Sequence, residues 1–216
     1  SSIQLGPYTI AANTIKAILG VPGFSTTITA AASFGTLTTT QLGNFFLNVP
    51  TGITNTTTGS GASMVTNVYI GESSPARVLR LQFNNATSSA SLLPSATVLG
   101  CGGSSNTLDV EVDTFSVPNK LYAACNNNSW MRTLDLSSAS AFATAAPTAF
   151  TAVTTANGTP YSDGAFPGTA LTAQPGGMTF DPVDKLLYFT ETNTCRLRVL
   201  NPVGNSTVNL FDTFSV

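Results

Sequence analysis

The chain has 216 residues, 42% of them hydrophobic and only 8% charged, with eight Lys and Arg against ten Asp and Glu and no histidine. A formal charge of −2 without a basic run excludes an electrostatic grip on nucleic-acid phosphates or anionic lipid. The missing imidazole removes Ser-His-Asp and Cys-His catalysis and any His-ligated zinc site.

Serine and threonine number 56, so the surface is expected to be built from hydroxyls and amides. No apolar run approaches the roughly 18 residues needed to cross a bilayer, and no membrane span is expected. Ser1-Ser2 offers neither an initiator methionine nor a leader pattern, which predicts a leader already removed.

In chain order, Thr14 to Leu19 reads as a strand that could close a unit begun elsewhere, with residues 1–25 as a closing strand or degenerate unit. Leu42 to Pro50 reads as part of a degenerate unit as well. From there on, short runs of Val, Ile, Leu, Phe, Tyr and Thr alternate with Gly, Pro, Asn and Ser clusters, the pattern of many short antiparallel strands. Ala139 to Ala149 comes nearest to a helix but is broken by Thr144, Pro147 and Thr148.

Three segments align on a tyrosine: Tyr69, Tyr122 and Tyr188. Three residues after each stands Glu72, Cys125 or Glu191, and eight residues after each stands Arg77, Trp130 or Arg196. Strand, polar turn and strand fit this spacing, which predicts three hairpins. Pro175 to Asp181 supplies a preceding strand for the third and Ser206 to Phe211 a following one, so four strands make one unit, as in a propeller blade.

The run from Gln174-Pro-Gly-Gly through Asp181-Pro-Val-Asp-Lys-Leu-Leu-Tyr188-Phe-Thr-Glu191 to Arg196-Leu-Arg198-Val resembles an NHL repeat. Asn157 to Gly164, with its Tyr161-Ser-Asp-Gly164 stretch, resembles the linker between such blades, and Gly20 to Ser25 is a fainter echo. The resemblance is concentrated in residues 150–210 and extends more loosely over 60–136. It departs at Cys125 and Trp130, where the family has an acid and an arginine. It implies an all-β, NHL-like β-propeller, or an open propeller-like array of four-stranded antiparallel blades, in one domain spanning 1–216. The blades are expected at about 40–100, 107–153 and 174–212. The tyrosine spacings exceed the roughly 40–45 residues of an ordinary blade, which predicts extended loops at 83–106 and 137–170.

Propellers close with about four to eight blades, and too few are legible here. Moreover, Asp212-Thr-Phe-Ser-Val216 repeats Asp113-Thr-Phe-Ser-Val117 verbatim. Two arrangements follow: a compact four-bladed ring with long loops, or an open arc completed by neighbouring copies, which would grow into a fibre.

Candidate chemistry is sparse. Glu72–Arg77 and Glu191–Arg196 read as ion pairs recurring with the fold, and the rival reading is a carboxylate ring. Asp109, Glu111 and Asp113 alternate on one strand face, either as the solvated side of an edge strand or as hard oxygen ligands for Ca²⁺. Asp163, Asp181 and Asp184 read as turn residues, Trp130 as a hairpin shield, and Gly100 to Gly103 lacks the helix and lysine of a phosphate loop.

Cysteines 101, 125 and 195 permit one disulfide, with three pairings open, or three reduced thiols. The expected bridge is Cys101–Cys125, leaving Cys195 unpaired or intermolecular. Sequons at Asn55, Asn85, Asn127, Asn157 and Asn205 fall in turn-rich stretches and are candidate glycan sites, although chance alone would supply about four.

These observations predict a secreted, glycosylated structural module of an extracellular filament or matrix, partnered by itself and by glycans, with no cofactor and no enzymatic role. The alternatives are a Ca²⁺-dependent hydrolase resembling the family's lactonases, with Glu72, Asp109 and Glu191 among its ligands, or a glycan- or protein-binding propeller.

Overall fold

A computed structural model describes residues 2–14, 18, 36–37, 47, 49–73, 76–94, 107–116, 119–125, 130–136, 148–149, 151–152, 164–165, 171–172, 174–192, 195–202 and 206–211. The described residues are all-β apart from one short 3-10 turn at Gly61–Ser63.

Two short strands, β1 (Ile3–Leu5) and β2 (Tyr8–Ile10), form an antiparallel hairpin. The first large sheet contains β3 (Thr36–Leu37), β4 (Pro50–Thr58), β5 (Val65–Ser73), β6 (Ala76–Asn84) and β7 (Ser89–Pro94), in the order β3-β7-β6-β5-β4. A second contains β8 (Thr107–Asp113), β9 (Lys120–Cys125), β10 (Trp130–Asp135) and β11 (Thr148–Ala149), in the order β11-β10-β9-β8. Two residues each in β12 (Thr151–Ala152) and β14 (Leu171–Thr172) make a small parallel pair, with β13 (Gly164–Ala165) between them in sequence. The third large sheet joins β13 to β15 (Pro175–Asp181), β16 (Leu186–Glu191), β17 (Arg196–Asn201) and β18 (Ser206–Phe211), in the order β13-β18-β17-β16-β15.

The tyrosine-anchored hairpins superpose residue for residue in their pairing. Tyr69 stands across from Thr54 and Arg80, Tyr122 from Glu111 and Thr133, and Tyr188 from Thr179 and Val199. Three positions on, Glu72, Cys125 and Glu191 pair with Arg77, Trp130 and Arg196 on one side and with Pro50, Thr107 and Pro175 on the other. Each sheet's first long strand carries a register shift just after that last residue, which twists the strand start. Before the two prolines, Val49 and Gln174 both hold φ near +50, and their carbonyls accept from Ser73 and Thr192.

Side-chain alternation then decides the stacking. The tyrosine face of the first sheet, with Tyr69 and Val78, packs on Val110, Val112, Leu121, Ala123 and Leu134 of the second. The tyrosine face of the second, with Tyr122 and Met131, packs on Leu187, Phe189 and Leu200 of the third. The back of the first sheet is covered by the β1–β2 hairpin, whose Tyr8 packs edge-on against Phe83 at 6.2 Å among Ile70, Leu79, Leu81 and Leu92.

Part of the expected loop at 83–106 is strand: β7 alternates buried Ala90 and Leu92 with serines, a pattern too rich in small residues to read as β from sequence. Thr14 to Leu19 lies outside the described residues apart from Thr14 and Ile18, and Leu42 to Pro50 apart from Leu47, Val49 and Pro50. The repeated Asp212 to Val216 also lies outside them.

Candidate functional site

The acidic face of β8 is only partly solvated. Although β8 is an edge strand within its own sheet, its carboxylates turn onto the next sheet. Asp109 Oδ2 accepts the Met178 N–H at 2.7 Å and Glu111 Oε1 accepts the Phe180 N–H at 3.1 Å, so two backbone donors on the edge of β15 are met by side chains. Glu111 also takes a hydrogen bond from Thr54 of β4, so one carboxylate touches all three sheets. Close approach of β4 and β8 requires Gly52, because a Cβ there would meet Asp109 Oδ1 at 2.5 Å and Val110 N at 2.8 Å. Beyond the strand, Asp113 accepts from the Phe115 and Ser116 amides, as Asp181 does from Val183 and Asp184. Phe115 stacks on Phe180 at 5.7 Å with Lys185 Nζ 5.6 Å from the centre of the Phe115 ring, a second clasp between the same two sheets.

Desolvation pushes the Asp109 carboxyl up, against the pull of the Met178 and Val110 amides. It pushes Glu111 up as well, against its Phe180 and Thr54 hydrogen bonds and with Asp109 adding repulsion. A carboxyl raised on folding holds more protons in the native state, so its contribution is lost as pH rises through the interval above the ordinary values of 3.8 and 4.5. Stability carried by this pair is therefore expected to rise as pH falls through that interval. The slope stays below the limiting ~1.4 kcal/mol per unit per group, because solvent reaches and screens both. Denaturation of Asp109→Asn/Glu111→Gln at several pH values checks this: the double variant should lose that slope, and an unchanged slope would assign it elsewhere.

The other sequence-predicted acids are buried in ion pairs within their own sheets. Arg77 Nε reaches Glu72 Oε2 at 2.5 Å. Glu191 Oε1 is met by Arg198 Nη1 at 2.9 Å; Arg196, the expected partner, stands directly across on β17, two residues earlier on the same face. No three Asp, Glu or Cys side chains gather among the described residues where they could hold a metal ion, and Glu72, Asp109 and Glu191 do not converge. An open cavity of about 550 Å³ lies at the starts of β4 and β8, lined by Pro50, Ile53, Ile70 and Met178. Asp109 also lines it, with both oxygens already accepting backbone N–H groups.

Asn55 is not in a turn: it lies exposed in β4. Asn85 opens the β6–β7 turn and binds the N-terminal hairpin through its carboxamide. Asn127, Asn157 and Asn205 lie outside the described residues, as does Cys101. Cys125 is buried at the end of β9, and Cys195 is a free, exposed thiol in the β16–β17 turn.

The three tyrosine faces differ in what covers them. Tyr69 and Tyr122 are 3% and 1% exposed, each beneath the following sheet, whereas Tyr188 is half-exposed on the far side of the third. Leu186 and Leu197 around it are partly buried, Val199 across from it is buried, and Thr179 and Thr190 are exposed. At the position of Leu197 the first sheet has Val78, wholly buried. This face was not singled out from the sequence; its signal is the third copy of the tyrosine repeat. No protein-family model matches the sequence, and no curated protein matches it.

Proposed function

We propose that the chain is a structural assembly module, a secreted glycoprotein whose three large sheets are successive blades of an open, NHL-like propeller. Its self-association continues the internal stacking. One observation carries this reading: the face that buries Tyr69 and Tyr122 inside the chain recurs around Tyr188, with nothing among the described residues stacked on it as a further sheet. Internally such a face is satisfied by the apolar back of the following sheet. A second copy of the same chain repeats this chemistry with the back of its first sheet, once the β1–β2 hairpin that covers that back has moved aside. Cys195, exposed one turn away from this face, is placed to join copies, while a Cys101–Cys125 bridge would hold the second sheet internally. Hydroxyl-rich composition and few charges suit a glycan-coated surface.

Tyr188→Asp combined with Leu197→Lys is expected to abolish assembly while leaving the far-UV circular dichroism unchanged. Negative-stain imaging and light scattering of the wild type at micromolar concentration should show filaments or large oligomers that the double variant lacks. Wild-type protein that stays monomeric, or a double variant that still assembles, would refute the reading.

A further inference from the structure

One side chain fastens the N-terminal hairpin to the rest of the protein. Asn85 Oδ1 accepts the Gly6 N–H at 2.7 Å, and Asn85 Nδ2 donates to the Gln4 carbonyl at 3.1 Å and the Gly61 carbonyl at 3.2 Å. The approach is close enough to require glycine at the hairpin turn. Gly6 has φ +55°, and a Cβ on it would lie 2.6 Å from the Ser89 carbonyl oxygen. Behind this latch, Tyr8 and Leu5 cover the apolar back of the first sheet. The same Asn85 is the acceptor of the sequon Asn85-Ala-Thr87.

We infer that Asn85 is the latch of the β1–β2 hairpin, and that an N-linked glycan on Asn85 and the docked hairpin exclude each other. A sugar at this position then uncovers the back of the first sheet. Transfer from a lipid-linked oligosaccharide diphosphate forms a bond between Nδ2 and C1 of the first sugar. The C1–O bond to the diphosphate breaks, and the Nδ2 proton leaves with the lipid diphosphate. A single N–H survives on Nδ2, so either Gln4 or Gly61 loses its donor, and a sugar carbon stands where that carbonyl oxygen was bound. Asn55 carries no such conflict, being exposed on β4. The uncovered face is the back of the same sheet whose front packs on the second. Glycan occupancy at Asn85 would thus decide whether the first sheet is capped by its own hairpin or open to another chain.

The sugar half of this inference rests on the secreted-glycoprotein reading; the latch does not. The chain is produced in a eukaryotic secretory host, glycopeptides are mapped by mass spectrometry, and amide exchange is measured over residues 3–10. Molecules bare at Asn85 should protect the β1–β2 amides, and molecules glycosylated there should exchange them about tenfold faster or more. Equal protection in the two fractions overturns the proposal. Independently of any sugar, Asn85→Asp keeps the acceptor but loses both donors and should release the hairpin. Thr87→Ala, which destroys the sequon and keeps the carboxamide, should not. An Asn85→Asp chain with a fully protected hairpin also overturns the proposal, whereas absence of sugar at all five sequons overturns the glycoprotein reading, and a bare Asn85 leaves the latch to be decided by Asn85→Asp.

Discussion

Replacing Glu191 by glutamine is expected to lower the unfolding free energy by about 3–5 kcal/mol. Both side chains of the Glu191–Arg198 pair are fully buried, and the guanidinium also lies 5.7 Å from the Phe189 ring centre. Removing the carboxylate charge leaves a desolvated cation without its counter-charge, a larger penalty than the pair itself was worth. The same substitution at an exposed pair would cost less than about 1 kcal/mol. Urea titration at neutral pH, with the slope of the transition held constant, reads the difference directly. Arg198→Met added to Glu191→Gln should recover much of the loss, because no buried charge is then left alone. If the double variant is as unstable as the sum of the singles, the two side chains act separately. Glu72 and Arg77, buried in the same position of the first sheet, should behave alike.

Truncating the three repeated tyrosines to alanine is expected to separate them sharply. Tyr69→Ala and Tyr122→Ala should each cost about 3–5 kcal/mol, as large aromatic-to-alanine changes in a packed interior do. Each deletes an aromatic ring clamped between two sheets, and neither hole can be filled without moving a strand. Tyr188→Ala should cost the isolated chain less, about 1–2 kcal/mol, since its ring is only partly buried. Thermal or urea denaturation of dilute, monomeric protein is the measurement. Equal losses at all three positions would mean that Tyr188 is as enclosed as the others, and the assembly surface would then have to lie elsewhere. In assembled material the ranking should narrow, because a neighbouring copy would enclose the third ring as well.

The repeat was legible because a hairpin locks sequence distance to spatial pairing. With side chains alternating every residue, an interval of three then five residues after each tyrosine places the same two positions opposite each other in every copy. That is why Glu72–Arg77 could be read in advance. It does not reveal Arg198: Arg196 and Arg198 share a face of β17, and spacing alone cannot say that Arg198 reaches Glu191. The acidic stripe on β8 misled for a different reason. Its alternation is that of a water-facing edge, but the Met178 and Phe180 amides that engage it lie 69 residues away, a separation that no local pattern encodes. Asn85 is similar: its sequon is visible, while Gln4 and Gly6, nearly eighty residues upstream, are what make its carboxamide structural. Pro175 was read as the start of the third sheet's first strand; Pro50, preceded like it by a residue with φ near +50, was a usable but unread signal for the start of the first.

Two of the few oppositely charged couples in this chain are withdrawn entirely from solvent, and Asp113 is also buried. What remains outside is a sparse scatter of ions among hydroxyls, so the long-range field around the molecule is weak. Ionic strength works on exposed charges over about 10 Å at 0.1 M and has little here to act on. Cohesion between sheets, and between copies that stack by the same chemistry, should consequently be indifferent to whether the surroundings are fresh water or brine.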